Sequence, residues 1–166
     1  MSGDGKTTKA SDTALQERCF SGVTVPDRIV RFIRKHHVMT LATCSGEVSW
    51  CANIFYSYIP EANVFVFTSD DKTRHAAEMS DTGVAGASIV LETKNVGLVQ
   101  GLQIQGSVKK ASGTDLEKAR ASYLKRFPYA IVADLTLWTL APLNMKLTDN
   151  RLGFGKKLYW DKDGSA

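Results

Sequence analysis

Apolar and polar residues alternate with a two-residue period over much of this chain, and only a few stretches change to helical spacing. Val38 to Cys44 reads as a strand, and Ser45-Gly46-Glu47 turns the chain into a second strand, Ser49 to Ile59. Pro60 to Asn63 is the next turn and Val64 to Thr68 the third strand. Connections this short predict an antiparallel meander. Further strands are expected at Val84 to Leu91, Val96 to Ala111, Leu135 to Leu140, Asn144 to Thr148 and Lys156 to Trp160. Gly97, Gly101 and Gly106 interrupt the longest of these, as bulges, bends or close backbone approaches do.

Helical spacing appears in three places. Thr24-Val25-Pro26-Asp27 fits a capping box that opens a helix with Ile29, Val30, Ile33 and His37 on one side. Lys72 to Ser80 reads as a short helix capped by Ser69 or Asp70. Thr114-Asp115-Leu116-Glu117 opens a third, which carries Leu116, Ala119, Tyr123, Leu124 and Phe127 and is closed by Pro128. Six or seven strands with a few peripheral helices predict a mainly β protein, a small closed or partly closed barrel. A doubly wound sheet would alternate strand and helix throughout.

Residues 1–22 are polar and poor in large apolar side chains, which predicts a flexible tail ahead of a single domain over 23–166. GDGKTT in that tail lacks the strand and first glycine of a phosphate loop. With 43% hydrophobic and 23% charged residues, the chain has the composition of a folded globular domain. A net charge of +4 suits anionic ligands but does not specify nucleic acid. Cys19, Cys44 and Cys51 have no metal-ligand spacing and read as free thiols of a cytoplasmic protein. No run is long and apolar enough to span a membrane.

Chemistry concentrates where the third strand ends. Thr68-Ser69-Asp70-Asp71-Lys72-Thr73-Arg74-His75 puts hydroxyls and cations at a strand-to-helix junction. Helix N-termini attract phosphate through unpaired N–H groups and the macrodipole. Lys72 adds a mobile cation and Arg74 a planar fork. Two readings stand: an anion site, or a capped turn whose aspartates pair with Lys72 and Arg74. Asn53, a polar residue in an otherwise apolar strand, meets either neighbouring backbone or a polar ligand edge. The run Asp149-Asn150-Arg151-Leu152-Gly153-Phe154-Gly155-Lys156-Lys157 reads as a tight turn near something anionic, or as a plain turn with surface lysines. Arg28, Arg31, Arg34 and Lys35 form a basic helix face that is either solvated or binds nucleic acid. No acid–base, nucleophile or metal cluster can be assembled, which suits a protein whose cofactor carries the reactive chemistry.

The segments WCANIFYSY, KTRHAAEMS, GLQIQG and TDNRLGFGKKLYW resemble the pyridoxamine 5′-phosphate oxidase-like, FMN-binding split-barrel superfamily, and within it the bacterial YhbP branch. The resemblance covers about Ile29 to Trp160. It implies a homodimer with FMN at the interface between two split barrels. Ala52, Asn53 and Ile54 would lie along the isoalloxazine edge. Thr68, Ser69 and Lys72 would hold the phosphate, helped by Thr73 and Arg74. Gln103 or Gln105 would approach the ring, and Phe55, Phe67 or Trp50 would wall it. The second strand lacks the basic motif of the true vitamin B6 oxidases, and Arg151-Leu152 runs into Gly153 where those carry histidine and a second arginine. The expectation is therefore an FMN-dependent oxidoreductase of other substrate. The alternative is a dimer that binds an anionic or nucleotide-like ligand without redox turnover.

Overall fold

The structure is a computed structural model that describes residues 24–132 and 134–164. The predicted tail, 1–22, and Cys19 lie outside the described residues. Seven strands are present: β1 (Val38–Ser45), β2 (Val48–Ile59), β3 (Val64–Thr68), β4 (Val84–Leu91), β5 (Gln100–Lys110), β6 (Leu137–Asp149) and β7 (Lys157–Asp161). Three helices accompany them: α1 (Asp27–Lys35), α2 (Arg74–Thr82) and α3 (Gly113–Arg126). The predicted mainly β architecture is observed, with every strand pair antiparallel.

The strands run in the order β3-β2-β1-β4-β5-β6-β7, and β3 also pairs with β6. That extra pairing closes six strands into a barrel and leaves β7 outside it. β6 makes the split. Its residues Leu137–Leu140 bond β3, while Asn144–Thr148 bond β7. The handover falls at Pro142, which has no N–H to donate. Two strands were expected here, around the proline. One continuous strand forms because β5 pairs along its whole length and absorbs the irregularity as a bulge between Gln105 and Gly106. Gly106 is required there: a Cβ would lie 2.5 Å from the Ala141 carbonyl oxygen. Gly97 lies before the strand, in the short helical turn Val96–Leu98.

Period-2 alternation fills the barrel. Met39 and Leu41 of β1, Tyr56 and Tyr58 of β2, Phe65 and Phe67 of β3, and Leu102 and Ile104 of β5 all point into one core. Ile29, Phe32 and Ile33 of α1 join it, and the Tyr56 hydroxyl donates to the Ile33 carbonyl at 2.7 Å. A smaller cluster, Val66, Ala111, Ala119, Tyr123 and Leu137, forms under α3 on the other face of β3. Full burial of a large apolar side chain stabilises by about 1.5–3 kcal/mol, so these alternating positions set the register.

Helix starts differ from expectation. Pro26, not Thr24, precedes α1, and no side chain caps it. Proline's fixed φ suits a helix entry better than the threonine two residues earlier. Thr73, not Ser69 or Asp70, caps α2 by accepting from Ala76 N at 3.3 Å. Ser112 precedes α3, and Asp115 of the expected second capping box pairs with Lys109 instead. Among the described residues, no helix is long and apolar enough to cross a membrane.

Candidate functional site

Two features of β2 and β3 shape the candidate site. The first half of β2 runs beyond the cover of the core, leaving Trp50 about half exposed, and Phe55, farther along on the outward face, is also about half exposed. β3 ends at Thr68, and the chain reverses over 69–73 into α2, which packs against β1 and β2.

The junction is a closed hydrogen-bonded turn. Ser69 is buried, and its hydroxyl lies 2.9 Å from Thr73 Oγ1 and 2.8 Å from His75 Nε2. Thr73 donates to the Asp70 carbonyl at 2.8 Å. Trp138 Nε1 donates to the Ser69 carbonyl at 3.2 Å. Burial holds the His75 imidazole below its ordinary value, against the pull of Glu78, so the neutral ring is favoured. The hydroxyls of Ser69 and Thr73, expected to grip a ligand, are therefore occupied in building the turn.

The aspartates are also spent, on partners other than those expected. Asp70 accepts from Lys72 N at 2.8 Å, and Asp71 pairs with Lys110 at 2.5 Å. Lys72 remains exposed with no side-chain hydrogen bond or ion pair among the described residues. Arg74 donates from Nε to Glu78 at 2.8 Å, and its guanidinium lies 4.8 Å above the Trp50 ring. The buried Glu78 also receives the Thr43 hydroxyl, 2.5 Å away. That hydroxyl, and then Arg74, hold the Glu78 carboxyl below the usual range. Arg74, in the first turn of α2, thus lies over the half-exposed Trp50 indole, and Lys72 stands exposed two residues before the helix. Glu78 escaped the sequence reading, although its i,i+4 spacing from Arg74 was the available signal.

The ring-edge residues occupy the neighbouring strand surface. Asn53 is exposed and accepts from Thr40 Oγ1 at 2.8 Å, while Ala52 and Ile54 are half-buried on the opposite, core-directed face. Registers align Asn53, Thr40, Ser88, Gln103 and Lys146 in one row across β2, β1, β4, β5 and β6. Gln103 is exposed there but three strand spacings from Asn53, about 14 Å. One chain does not bring the two together. A shallow cavity of about 460 Å³ lies along Gln103, Gln105, Asn144, Lys146 and Tyr159. Phe67 requires correction: it is fully buried in the barrel core, so its ring cannot wall a ligand, which leaves Phe55 and Trp50.

The second predicted anion site is filled by the chain itself. Asp149 has no exposed surface. It accepts from Arg151 Nε at 3.0 Å and Nη2 at 2.9 Å, and from Arg28 Nε at 2.9 Å. These donors, Arg151 foremost, hold its carboxyl far below the ordinary value. Asn150 binds the Val96 carbonyl at 2.7 Å and accepts from Gly155 N at 3.0 Å. The run clamps α1 to the end of β6. It also takes Arg28 out of the basic α1 face. Among the described residues, no cluster of His, Cys, Asp and Glu could hold a metal.

The closed ring of six antiparallel strands with an appended seventh defines a split barrel. No family model matches the chain. It is 39% identical over 132 residues to a UPF0306 protein of Enterobacter sp. strain 638, covering 80% of this chain and 93% of that one. It is 37% identical over 138 residues to the UPF0306 protein YhbP of Salmonella arizonae, covering 83% and 94%. The chain belongs to the UPF0306 (YhbP) family.

Solved structures share the fold at lower identity. A heme binding protein from Mycobacterium smegmatis superposes with a TM-score of 0.69 at 20% identity, over 85% of this chain and 60% of that longer one. HutZ, a heme storage protein from Vibrio cholerae, gives 0.58 at 14%, over 72% and 91%. A Listeria innocua protein provisionally named pyridoxamine 5′-phosphate oxidase gives 0.57 at 11%, over 72% and 94%.

Proposed function

We propose that this chain is an FMN-binding protein that works as a homodimer and serves as a flavin-dependent oxidoreductase of unknown substrate. The observation that supports the reading is the corner after β3: Lys72 is exposed and its ammonium makes no ion pair among the described residues, Asp71 is drawn away to Lys110, and Arg74, held through Nε by Glu78, keeps its outer guanidinium nitrogens beside the start of α2. Such a corner suits a phosphate dianion. On one face of β2, Phe55 offers an aromatic ring and Asn53 an amide to a flat heteroaromatic ring. Bound flavin would supply hydride or electron transfer. The chain would supply phosphate binding, an apolar wall and exclusion of water.

A second copy completes the pocket in this reading. From Asn53 to Gln103 the row carries no charge, and the adjoining pair Ala42 and Gly86 keeps the neighbouring surface low. Charge-poor faces of this kind suit burial against a partner. A two-fold partner would bring its Gln103 across the 14 Å gap toward Asn53, about three strand spacings. Ser88→Arg on this face should shift a dimer toward monomer in analytical ultracentrifugation, and a monomeric wild type would contradict the arrangement.

Haem is the second reading. Two structural neighbours carry heme in their names. His37 is exposed and stacked parallel to Phe55 at 6.1 Å, close to the same strand face. Parallel titrations of the purified chain with FMN and with haemin, followed by visible absorbance, separate the two. A saturable flavin shift with no haem band supports the first reading. A haem Soret band that His37→Ala abolishes, with no flavin shift, supports the second.

A further inference from the structure

A separate cavity of about 730 Å³ lies between the outer face of β2, the exposed side of α3 and the end of α1. We infer that it is a binding site for a small organic phosphate, independent of the corner after β3. Arg34, Lys118, Lys125 and Arg126 line it, against a single carboxylate, Glu61.

The charge balance decides the ligand class. α1 and α3 both end near this cavity, and each helix C-terminus offsets only about half an elementary charge. Those two ends and Glu61 leave about two positive charges without a counterpart, which matches a phosphate monoester dianion. Arg34, Lys118 and Lys125 make no ion pair among the described residues. Arg126 is fixed in place: it donates to the Arg34 and His36 carbonyls and its guanidinium lies 5.6 Å above the Tyr56 ring. A cation held by backbone is preorganised, so little side-chain entropy is lost on binding.

The floor is polar. Ser57 is 2% exposed, and its hydroxyl meets only that of Ser122, 3.0 Å away. Two hydroxyls bonded to each other use one proton and leave the other to donate. Ser122, the less buried of the two, can turn that proton to a phosphoryl oxygen. Ile59, Pro60 and Ala121 complete the lining and suit an apolar body.

Calorimetric titration of the full chain with phenyl phosphate at low salt tests the site. Binding should be saturable, should weaken as salt rises, and should weaken about tenfold in the Lys118→Ala/Lys125→Ala variant, a loss typical of removing charged contacts. Lys157→Ala, an exposed cation on β7, should leave it unchanged. Chemical shifts of residues 57–61 and 118–126 should move with phenyl phosphate. The inference is overturned by no binding, by equal weakening in Lys157→Ala, or by binding of an RNA duplex alone. Loss of phenyl phosphate binding in Lys72→Ala, with Lys118→Ala/Lys125→Ala unaffected, would assign the ligand to the other corner and overturn this site while leaving the flavin reading intact.

Discussion

The turn after β3 and the turn after β6 look alike as sequences: each sets hydroxyls, aspartate and cations beside a strand end. They differ in where the carboxylate goes. After β6, Asp149 is buried and draws Arg151 and Arg28 onto itself. After β3, Asp70 bonds Lys72 N and Asp71 bonds Lys110, so the Lys72 ammonium is left without an ion pair among the described residues. Local composition does not distinguish a clamp from a corner that leaves its lysine unpaired. The fate of the aspartates does.

Asp149→Asn should give the largest stability loss, roughly 2–3 kcal/mol in urea unfolding, because it strips the charge from a buried acceptor with several charged donors. A loss under 1 kcal/mol would mean the clamp adds little. The pH dependence sharpens the same point. Asp149 is depressed in the folded state, so its contribution is present above the ordinary carboxylate value of about 4 and disappears as pH falls through the folded one. Wild type should lose stability steadily below about pH 4, and Asp149→Asn should show a flatter acid limb.

Arg74→Ala should act less on stability and more on spectra. It uncovers the Trp50 indole and removes one of two donors to Glu78, so tryptophan emission should shift while the fold persists. Asp71→Asn should have the smallest effect, under about 1 kcal/mol, because its pair with Lys110 is exposed on both sides. A larger loss would make the corner a structural clamp like the other turn.

The barrel was legible because period-2 burial is written residue by residue along β1, β4 and β5, while β3 and the end of β2 are buried on both faces. The bulge at Gly106 was visible as a glycine in a long strand. The continuity of β6 through Pro142 was not, since it depends on β5 and on a change of partner that no local pattern records. The cap of α2 at Thr73 was misplaced because its turn offers several hydroxyls, and α3 starts after Ser112 with no side-chain cap at all. The site was half legible. Lys72 and Arg74 stand where the spacing put them. The burial of Phe67, the enclosure of Ser69 and the capture of Arg151 by Asp149 arise from contacts between distant segments.

The central claim is that Lys72 is reserved for a ligand's phosphate, and paired titrations of wild type and Lys72→Ala with FMN and riboflavin test it most directly. The account predicts FMN affinity falling about tenfold in the variant, with riboflavin affinity unchanged and the unfolding midpoint within the small range of surface substitutions. Equal losses for both ligands, or wild-type protein that binds neither, would contradict it.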